Sequence, residues 1–385
     1  MALELKAAAR QFPVVAVLGP RQSGKTTLVK STFKNYVYVS LEELDNQEIA
    51  LADPRRFLEM HKNEHGIIFD EIQNTPDLLS YIQTYVDEHK RPGYFILTGS
   101  QNILLNEAIS QTLAGRVSLL TLLSLSISEL EKASLLQSSI EELMFTGCYP
   151  RIYDEKIPPK KWYSNYIRTY IERDVRTLTN VSSLSIFQQF IKLCAGRTGQ
   201  ILNLTSLGND CGISTNTARA WLSILEASYI IFLLRPHYKN FSKRLIKSPK
   251  LFFYDTGLAC SLLDIDDVKQ LSTHYIRGNL FESFVISEFI KHCYNHDSRP
   301  NVYFWRDSQG HEVDCIIEKG EQLTPIEIKA GKTINSSFFK ELHFWNELSG
   351  SDPSNSFLIY GGDQKQIRQG INVFGWQSLQ AVFRK

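Results

Sequence analysis

The chain has 385 residues, 43% apolar and 22% charged, and 42 Lys and Arg against 41 Asp and Glu leave a formal net charge of +1. That length exceeds one ordinary core, so two or three domains are expected, and near-neutrality excludes a global basic field: any nucleic-acid surface must be a local patch. Cys148, Cys194, Cys211, Cys260, Cys293 and Cys315 form no C-x-x-C pair, which argues against a disulfide framework or a thiolate zinc site and for reduced thiols in a cytoplasmic protein.

The N-terminus, "MALELKAAARQFPVV", carries charges where a signal peptide needs an apolar run. From 1 to 130, β-like runs ("VVAVLG", "YVYVSL", "GIIFDE", "YFILTGS", "RVSLLTL") alternate with helical patterns. That alternation predicts an α/β domain built on a parallel sheet. The most apolar stretch, "VSLLTLLSLSISEL", is too short and too rich in serine to span a bilayer, so no membrane partner is expected.

After the first run, Gly19, Pro20, Arg21, Gln22, Ser23, Gly24, Lys25 and Thr26 fill every fixed position of G-x-x-x-x-G-K-[ST], with Thr27 following. Glycines let successive backbone N–H groups curl around phosphates, and the helix that follows turns its positive end toward them. Lys25 would reach the β- and γ-phosphates and the Thr26 hydroxyl would ligate Mg²⁺. The competing reading is a plain strand-to-helix turn. "GIIFDEIQ" supplies the acidic pair such a loop requires: Asp70 to hold the metal through water, Glu71 to polarise the attacking water. Ser100 and Gln101 end the next run, placed to sense the γ-phosphate or to make a simple turn. "HKNEH" (His61 to His65) fits an inverted metalloprotease pattern but reads better as a solvated helix end. No N-K-x-D guanine motif follows, and ATP is the expected nucleotide.

This order of motifs resembles the AAA-type branch of P-loop ATPases. The resemblance implies a central parallel sheet with an extra strand between the P-loop and Walker B strands. It also assigns Arg116, just before the fifth run, to nucleotide sensing or to a finger in a neighbouring subunit, with a surface salt bridge as the alternative.

Residues 131–200 read as a helical lid or connector, with "PKKWYSNYIRTYIERDVRTL" its longest amphipathic piece. Residues 201–255 have winged-helix proportions: a first helix from Asn203 to Asp210, a turn at Gly212, and a second helix capped by Ser214. Ala218, Trp221, Leu222 and Leu225 share that helix's apolar face, leaving Thr215, Asn216 and Arg219 outward for a major groove. A basic ribbon follows, with Arg235, Lys239, Lys243, Arg244, Lys247 and Lys250 and no acidic residue. Lys243, Arg244 and Lys247 are the expected phosphate contacts. A solvated hairpin explains the ribbon equally well, and DNA and further copies of the chain stay open as partners.

In residues 256–385, "GNLFESFVISEFI" places Glu282 on an apolar helix, "GHEVDCIIE" places Asp314 at a strand start, and "TPIEIKAG" carries Glu327 and Lys329 on one face of the next strand. This order resembles the PD-(D/E)XK nuclease superfamily. The resemblance implies a restriction-endonuclease-like α/β domain: a short mixed sheet flanked by helices, with Asp314 and Glu327 on Mg²⁺, Lys329 activating water or stabilising the charged transition state, and Glu282 supporting the metal. Together with "FTGCYPRIY", "YIERDVR", "FYDTGLACSLL" and "GNLFESFV", the chain resembles a bacterial and archaeal family of uncharacterised ATPases, in which an AAA-type domain precedes a domain of unknown function with this nuclease-like end. The reading is an ATP-hydrolysing, DNA-associated protein whose nucleotide state controls a nuclease-like domain. A non-enzymatic ATP-gated switch with an inert C-terminal fold is the alternative, and the lack of further helicase motifs argues against a translocase.

Overall fold

The run Val14–Gly19 is buried along its whole length, as a strand covered on both faces must be, and it becomes a central strand of a parallel sheet. The computed structural model describes residues 1–100, 108–109, 111–171, 184–238 and 246–384. Two compact units divide the chain: Met1–Ser124 with Ala227–Tyr229 and Cys293–Arg299, and Leu125–Glu226 with Ile230–His292 and Pro300–Lys385.

In the first unit the elements run α1 (Ala2–Gln11), β1 (Val14–Gly19), α2 (Lys25–Thr32), β2 (Val37–Ser40), α3 (Leu44–Ala52), α4 (Pro54–Met60), β3 (Ile67–Asp70), α5 (Leu78–His89), β4 (Phe95–Ser100) and β5 (Val117–Thr121). The sheet order is β2-β3-β4-β1-β5, and every pairing is parallel. Alternate residues feed two cores. Val14, Ala16, Leu18, Ile67, Phe69 and Phe95 pack with Phe57, Leu79 and Ile82; Val15, Val17, Ile68 and Ile96 pack with Leu5 and Val29. The extra strand in the chain, β2, lies at the sheet edge, whereas the strand between β1 and β3 in space is β4. Because all five strands run one way, Gly19, Asp70 and Ser100 end on one edge of the sheet, where α/β folds bind ligands.

The second unit begins with α6 (Ile127–Lys132), α7 (Ile140–Thr146), α8 (Pro150–Asp154) and α9 (Pro159–Tyr166), which runs into a π turn at Ile167–Ile171. Next come α10 (Leu184–Gly196), β6 (Gln200–Ile201), α11 (Leu204–Cys211), α12 (Thr215–Ala227), β7 (Ile231–Leu234) and β8 (Lys250–Phe253). The Asn203 side chain caps α11, Gly212 closes it in the left-handed region (φ 66°), and Ser214 Oγ accepts from the Thr217 N–H. The three strands form an antiparallel sheet in the order β6-β8-β7.

The chain continues through α13 (Thr256–Leu262), α14 (Val268–Thr273), α15 (Arg277–Asn295), β9 (Val302–Arg306), β10 (Glu312–Lys319), β11 (Gln322–Lys329), α16 (Lys340–Ser349), β12 (Phe357–Tyr360), β13 (Gln366–Arg368) and β14 (Ile371–Gly375). The last six strands make one mixed sheet, β13-β14-β12-β11-β10-β9. The runs "NVYFWRD", "EVDCIIEKG", "TPIEIKAG" and "NSFLIYGG" read from sequence as β9 to β12, whereas β13 and β14 carry no such reading. Among the described residues all six cysteines are buried and none forms a disulfide, and no helix is long and apolar enough to cross a membrane.

Candidate functional site

The loop from Gly19 to Gly24 joins a buried strand to a helix. A Cβ on Gly19 would lie 2.0 Å from the Leu122 carbonyl oxygen, and Gly24 takes φ 93° at the start of α2; neither position admits a side chain without strain. Lys25 is 4% exposed, and its ammonium donates to the carbonyls of Gly19 (3.2 Å) and Pro20 (2.8 Å). Burial lowers its pKa to about 8, against the pull of Glu71 and Asp70. Gly19 and Pro20 are buried, Arg21, Gln22 and Thr26 half-buried, and Thr27 exposed.

Asp70 ends β3 held by three hydroxyls. Thr26 Oγ1 lies 3.0 Å from both carboxylate oxygens, Tyr38 donates at 2.8 Å, and Thr98 donates as well. Tyr38 and Thr98 escaped the sequence reading. The available signal was a polar residue on each strand flanking Walker B, which becomes informative once the sheet order is known. Glu71 takes a left-handed backbone (φ 59°, ψ 50°), a strained setting for a non-glycine residue. Its carboxylate accepts from Ser100 Oγ (3.3 and 3.4 Å) and from Gln73. Ser100 is the register partner of Gly19, so the tether of Glu71 stands beside the loop. Gln101 lies outside the described residues.

Whether nucleotide and Mg²⁺ suit these residues can be judged from the loop itself. Ser23 Oγ is buried with no hydrogen-bond partner, an orphan inside the loop that a phosphate oxygen would satisfy. Thr26 and Asp70 present hard oxygen donors, the set Mg²⁺ prefers. Both groups fit.

Arg116 is a correction. It precedes β5, and its carbonyl accepts from the Val14 N–H at the start of β1, so it stands at the opposite end of the parallel sheet from Gly19, roughly 15–20 Å away by strand rise. It pairs with Asp87 at 2.6 and 2.8 Å. A role toward the nucleotide of its own chain is geometrically closed. His61 lies among local backbone contacts, its Nδ1 2.9 Å from the Phe57 carbonyl.

In the second unit, β10 and β11 pair antiparallel with Cys315 opposite Ile326, which sets Asp314 against Glu327. Asp314 falls at a register shift between Val313 and Ile316, the kind of bulge that re-aims a side chain. Asp314 Oδ2 accepts from the Ile328 N–H (2.8 Å) and from Lys329 Nζ (3.2 Å), and Lys329 also binds Glu327. Glu327 is 3% exposed and its Oε2 has no hydrogen-bond partner. Burial, then Asp314, pushes its pKa well above the carboxylate range, with Lys329 opposing. Burial alone would lower Lys329, but Asp314 and Glu327 outweigh it and hold the ammonium charged.

Glu282 lies near enough to Asp314 and Glu327 for their charges to act on one another, but its ion-pair partner is Lys250. Its Oε1 lies 2.9 Å from Lys250 Nζ, which also meets Glu312 Oε1 at 2.5 Å; Arg306 binds the other Glu312 oxygen at 3.0 Å. Lys250 is therefore a second correction: expected on a solvated basic ribbon, it is 3% exposed because it opens the buried strand β8. Burial would lower its pKa, yet Glu282 and Glu312 together raise it. Among the described residues no group of three or more His, Cys, Asp or Glu is arranged to hold a metal. Asp314 and Glu327 alone still fit Mg²⁺, which commonly takes one or two carboxylates and keeps its waters, and the unpartnered Glu327 Oε2 is a free buried acceptor for it.

On α12, Asn216 and Arg219 are exposed, bonded to each other at 3.1 Å, and Thr215 is half-buried. Lys247 is exposed; Lys243 and Arg244 lie outside the described residues. The quoted stretches around Cys148 and Asp255 meet in a buried polar joint. Asp255 accepts from the Cys148 N–H (2.8 Å), the Tyr163 hydroxyl (2.6 Å) and the Leu258 N–H (3.1 Å). Burial pushes the Cys148 thiol up to about 12, so the joint is structural and not nucleophilic.

The first unit's sheet order, loop and acidic pair define an AAA-type P-loop ATPase domain, and residues 11–131 match the family described as "AAA domain". Residues 137–269 and 277–379 match two domains of unknown function, DUF8612 and DUF4143. The chain is 30% identical over 336 residues, 86% of its length and 74% of theirs, to the proteins named "Uncharacterized protein Rv2008c" in Mycobacterium tuberculosis and "Uncharacterized protein Mb2031c" in Mycobacterium bovis. It belongs to the family of these mycobacterial proteins. Among solved structures it is similar to the Walker-type ATPase PABY2304 of Pyrococcus abyssi (14% identity, 68% of this chain and 94% of that one, TM-score 0.46). It is also similar to the RuvB Holliday junction branch migration motor of Thermotoga maritima (19% identity, 61% and 86%, TM-score 0.31). Neither likeness is close enough to carry an argument about function.

Proposed function

We propose that the chain binds and hydrolyses ATP at the Gly19–Thr26 loop, associates with DNA through the segment 201–255, and couples nucleotide state to the C-terminal acidic site. The observation that carries the ATPase reading is the joint at Asp70, where the loop threonine and the carboxylate are already in contact. Lys25 neutralises the β- and γ-phosphates, and the loop N–H groups with α2 orient them in line with water. Thr26 and Asp70 would hold Mg²⁺, which supplies charge neutralisation on the phosphate oxygens. Glu71 takes the proton of the attacking water as the terminal P–O bond breaks, and Ser100 holds that carboxylate beside the loop.

The order β6-α11-α12-β7-β8 supports a winged-helix reading for the DNA contact, with Asn216 and Arg219 on the presented helix. The mixed sheet with Asp314, Glu327 and Lys329 on paired strands supports the nuclease-like reading. The alternative, an inert C-terminal fold serving as a switch, is favoured by one observation: Glu282 is occupied by Lys250.

ATP turnover by purified Lys25→Ala and Glu71→Gln tests the first half. Lys25→Ala should be inactive, and Glu71→Gln should bind ATP yet turn over about 10²–10⁴-fold more slowly. Equal turnover by wild type and Glu71→Gln removes Glu71 from its role. Metal-dependent DNA cleavage lost in Asp314→Ala and Lys329→Ala, with ATP hydrolysis intact, supports the nuclease; DNA binding without cleavage in any nucleotide state supports the switch.

A further inference from the structure

The acidic site of the second unit contains four carboxylates and three cations. Asp314 and Glu327 share Lys329, while Glu282 and Glu312 share Lys250, with Arg306 on the far oxygen of Glu312. Glu312 and Asp314 are alternate residues of β10, so the two halves adjoin on one strand. Lys250 is 3% exposed and reaches both of its partners at ion-pair distance, arriving from β8, a strand of a different sheet. On the other side, Glu327 Oε2 is buried and receives no donor. One half of the site is thus already neutralised by protein, and the other retains an open acceptor.

We propose that Lys250 is the built-in second cation of this site: it withholds Glu282 and Glu312 from metal, so the site takes one divalent ion, between Asp314 and Glu327. The inference rests on the reading that this pair holds an ion. Its physical basis is occupancy. Lys250 sits at ion-pair distance from both Glu282 and Glu312, whereas Glu327 Oε2 is buried with no donor and stands beside Asp314 on the paired strand. A second divalent ion placed near Glu282 would share two carboxylates with a buried ammonium. It would meet repulsion at short range in a poorly screened setting. A lysine is suited to this position because its compact point charge can take the place of a small ion, where a planar guanidinium would need a fork of acceptors.

The test is an Mn²⁺ titration read by the electron paramagnetic resonance of the free ion. It uses the nucleotide-free full chain, with Asp70→Asn in every variant to silence the P-loop. The parent should bind one Mn²⁺, lost in Asp314→Asn. Lys250→Met should bind two, and adding Glu282→Gln should remove the second. Two ions in the parent, or one in both parent and Lys250→Met, overturns the inference and leaves the Asp314–Glu327 reading standing. No ion in the parent but one in Lys250→Met that Glu282→Gln removes supports Lys250 as the occupying cation and overturns the ion reading for the native pair. No ion in any variant overturns both. If Lys250→Met is recovered unfolded, thermal unfolding of Lys250→Met/Glu282→Gln carries the test. Recovery of folding by the second substitution supports the pairing, and a double variant as defective as the single one overturns it.

Discussion

The two carboxylate clusters of this chain are built from similar acids and finished by opposite means. At the P-loop, Asp70 is held by the hydroxyls of Thr26, Tyr38 and Thr98, neutral donors that fix its geometry, while the Lys25 ammonium nearby is turned to the carbonyls of Gly19 and Pro20. In the second unit, Glu282 and Glu312 are held by Lys250 and Arg306, which fix geometry and cancel charge together. A carboxylate prepared by hydroxyls is available to a metal. Glu282 and Glu312, with Lys250 and Arg306 for two carboxylates, are not until Lys250 leaves, whereas Asp314 and Glu327 share the single Lys329 and keep one unpartnered oxygen. The order of acidic residues along a chain therefore names candidates for a metal site, and the charge of their donors decides among them.

The sharpest way to break this comparison is at Lys250. Lys250→Met leaves Glu282 without its cation and Glu312 with Arg306 alone, and should cost about 3–5 kcal/mol, the usual penalty for removing one side of a buried ion pair. Chemical denaturation of wild type and variant measures it, and a loss below about 1 kcal/mol would place the cluster in solvent-like surroundings. Thr98→Val removes a hydroxyl from a buried joint with little change of shape. It should cost about 1.5–3 kcal/mol, the worth of a hydrogen bond to a charged group, and should weaken Mg²⁺-dependent ATP binding. A neutral outcome on both readouts would mean that Thr98 does not hold Asp70.

A smaller effect follows from Lys25, whose buried ammonium titrates near 8. Without nucleotide the lysine is neutral above that pH, and phosphates restore its charge, so binding takes up a proton there. ATP affinity should be level below pH 8 and fall by up to about tenfold per pH unit above it, becoming flat in Lys25→Arg. For the nucleotide-free protein the sign is reversed. The folded state bears the full cost of the buried charge below pH 8, and this contribution to stability improves as pH rises toward the ordinary value of 10.5. Calorimetric titration at several pH values checks the first, and denaturation midpoints check the second. The smallest expected change is in the basic ribbon: Lys247→Ala should lower the salt slope of DNA binding by about one unit without changing sequence preference, and an unchanged slope returns Lys247 to the solvated surface.

What the sequence by itself determined is local. The phosphate loop is legible because one short segment supplies strand, glycines, lysine and threonine at invariant spacing, and backbone sterics permit few other uses for it. Strand alternation made β1 to β5 legible for the same reason, each run carrying its own period. The pairing of Asp314 with Glu327 and Lys329 was within reach because neighbouring antiparallel strands lie close in the chain. Tertiary structure alone decided the rest. Sheet order brought β4 between β1 and β3, and with it Thr98 to Asp70 and Ser100 to Glu71. Strand direction carried Arg116 to the far end from the loop. β13 and β14 acquire their meaning only as the edge of a mixed sheet, where burial of Ile371 and Val373 depends on partners far away in the chain. Lys250 is the plainest case: it closes a basic ribbon and opens the apolar run Leu251, Phe252, Phe253, but its energy is set by Glu282 and Glu312, on a helix and a strand that only the folded chain places beside it.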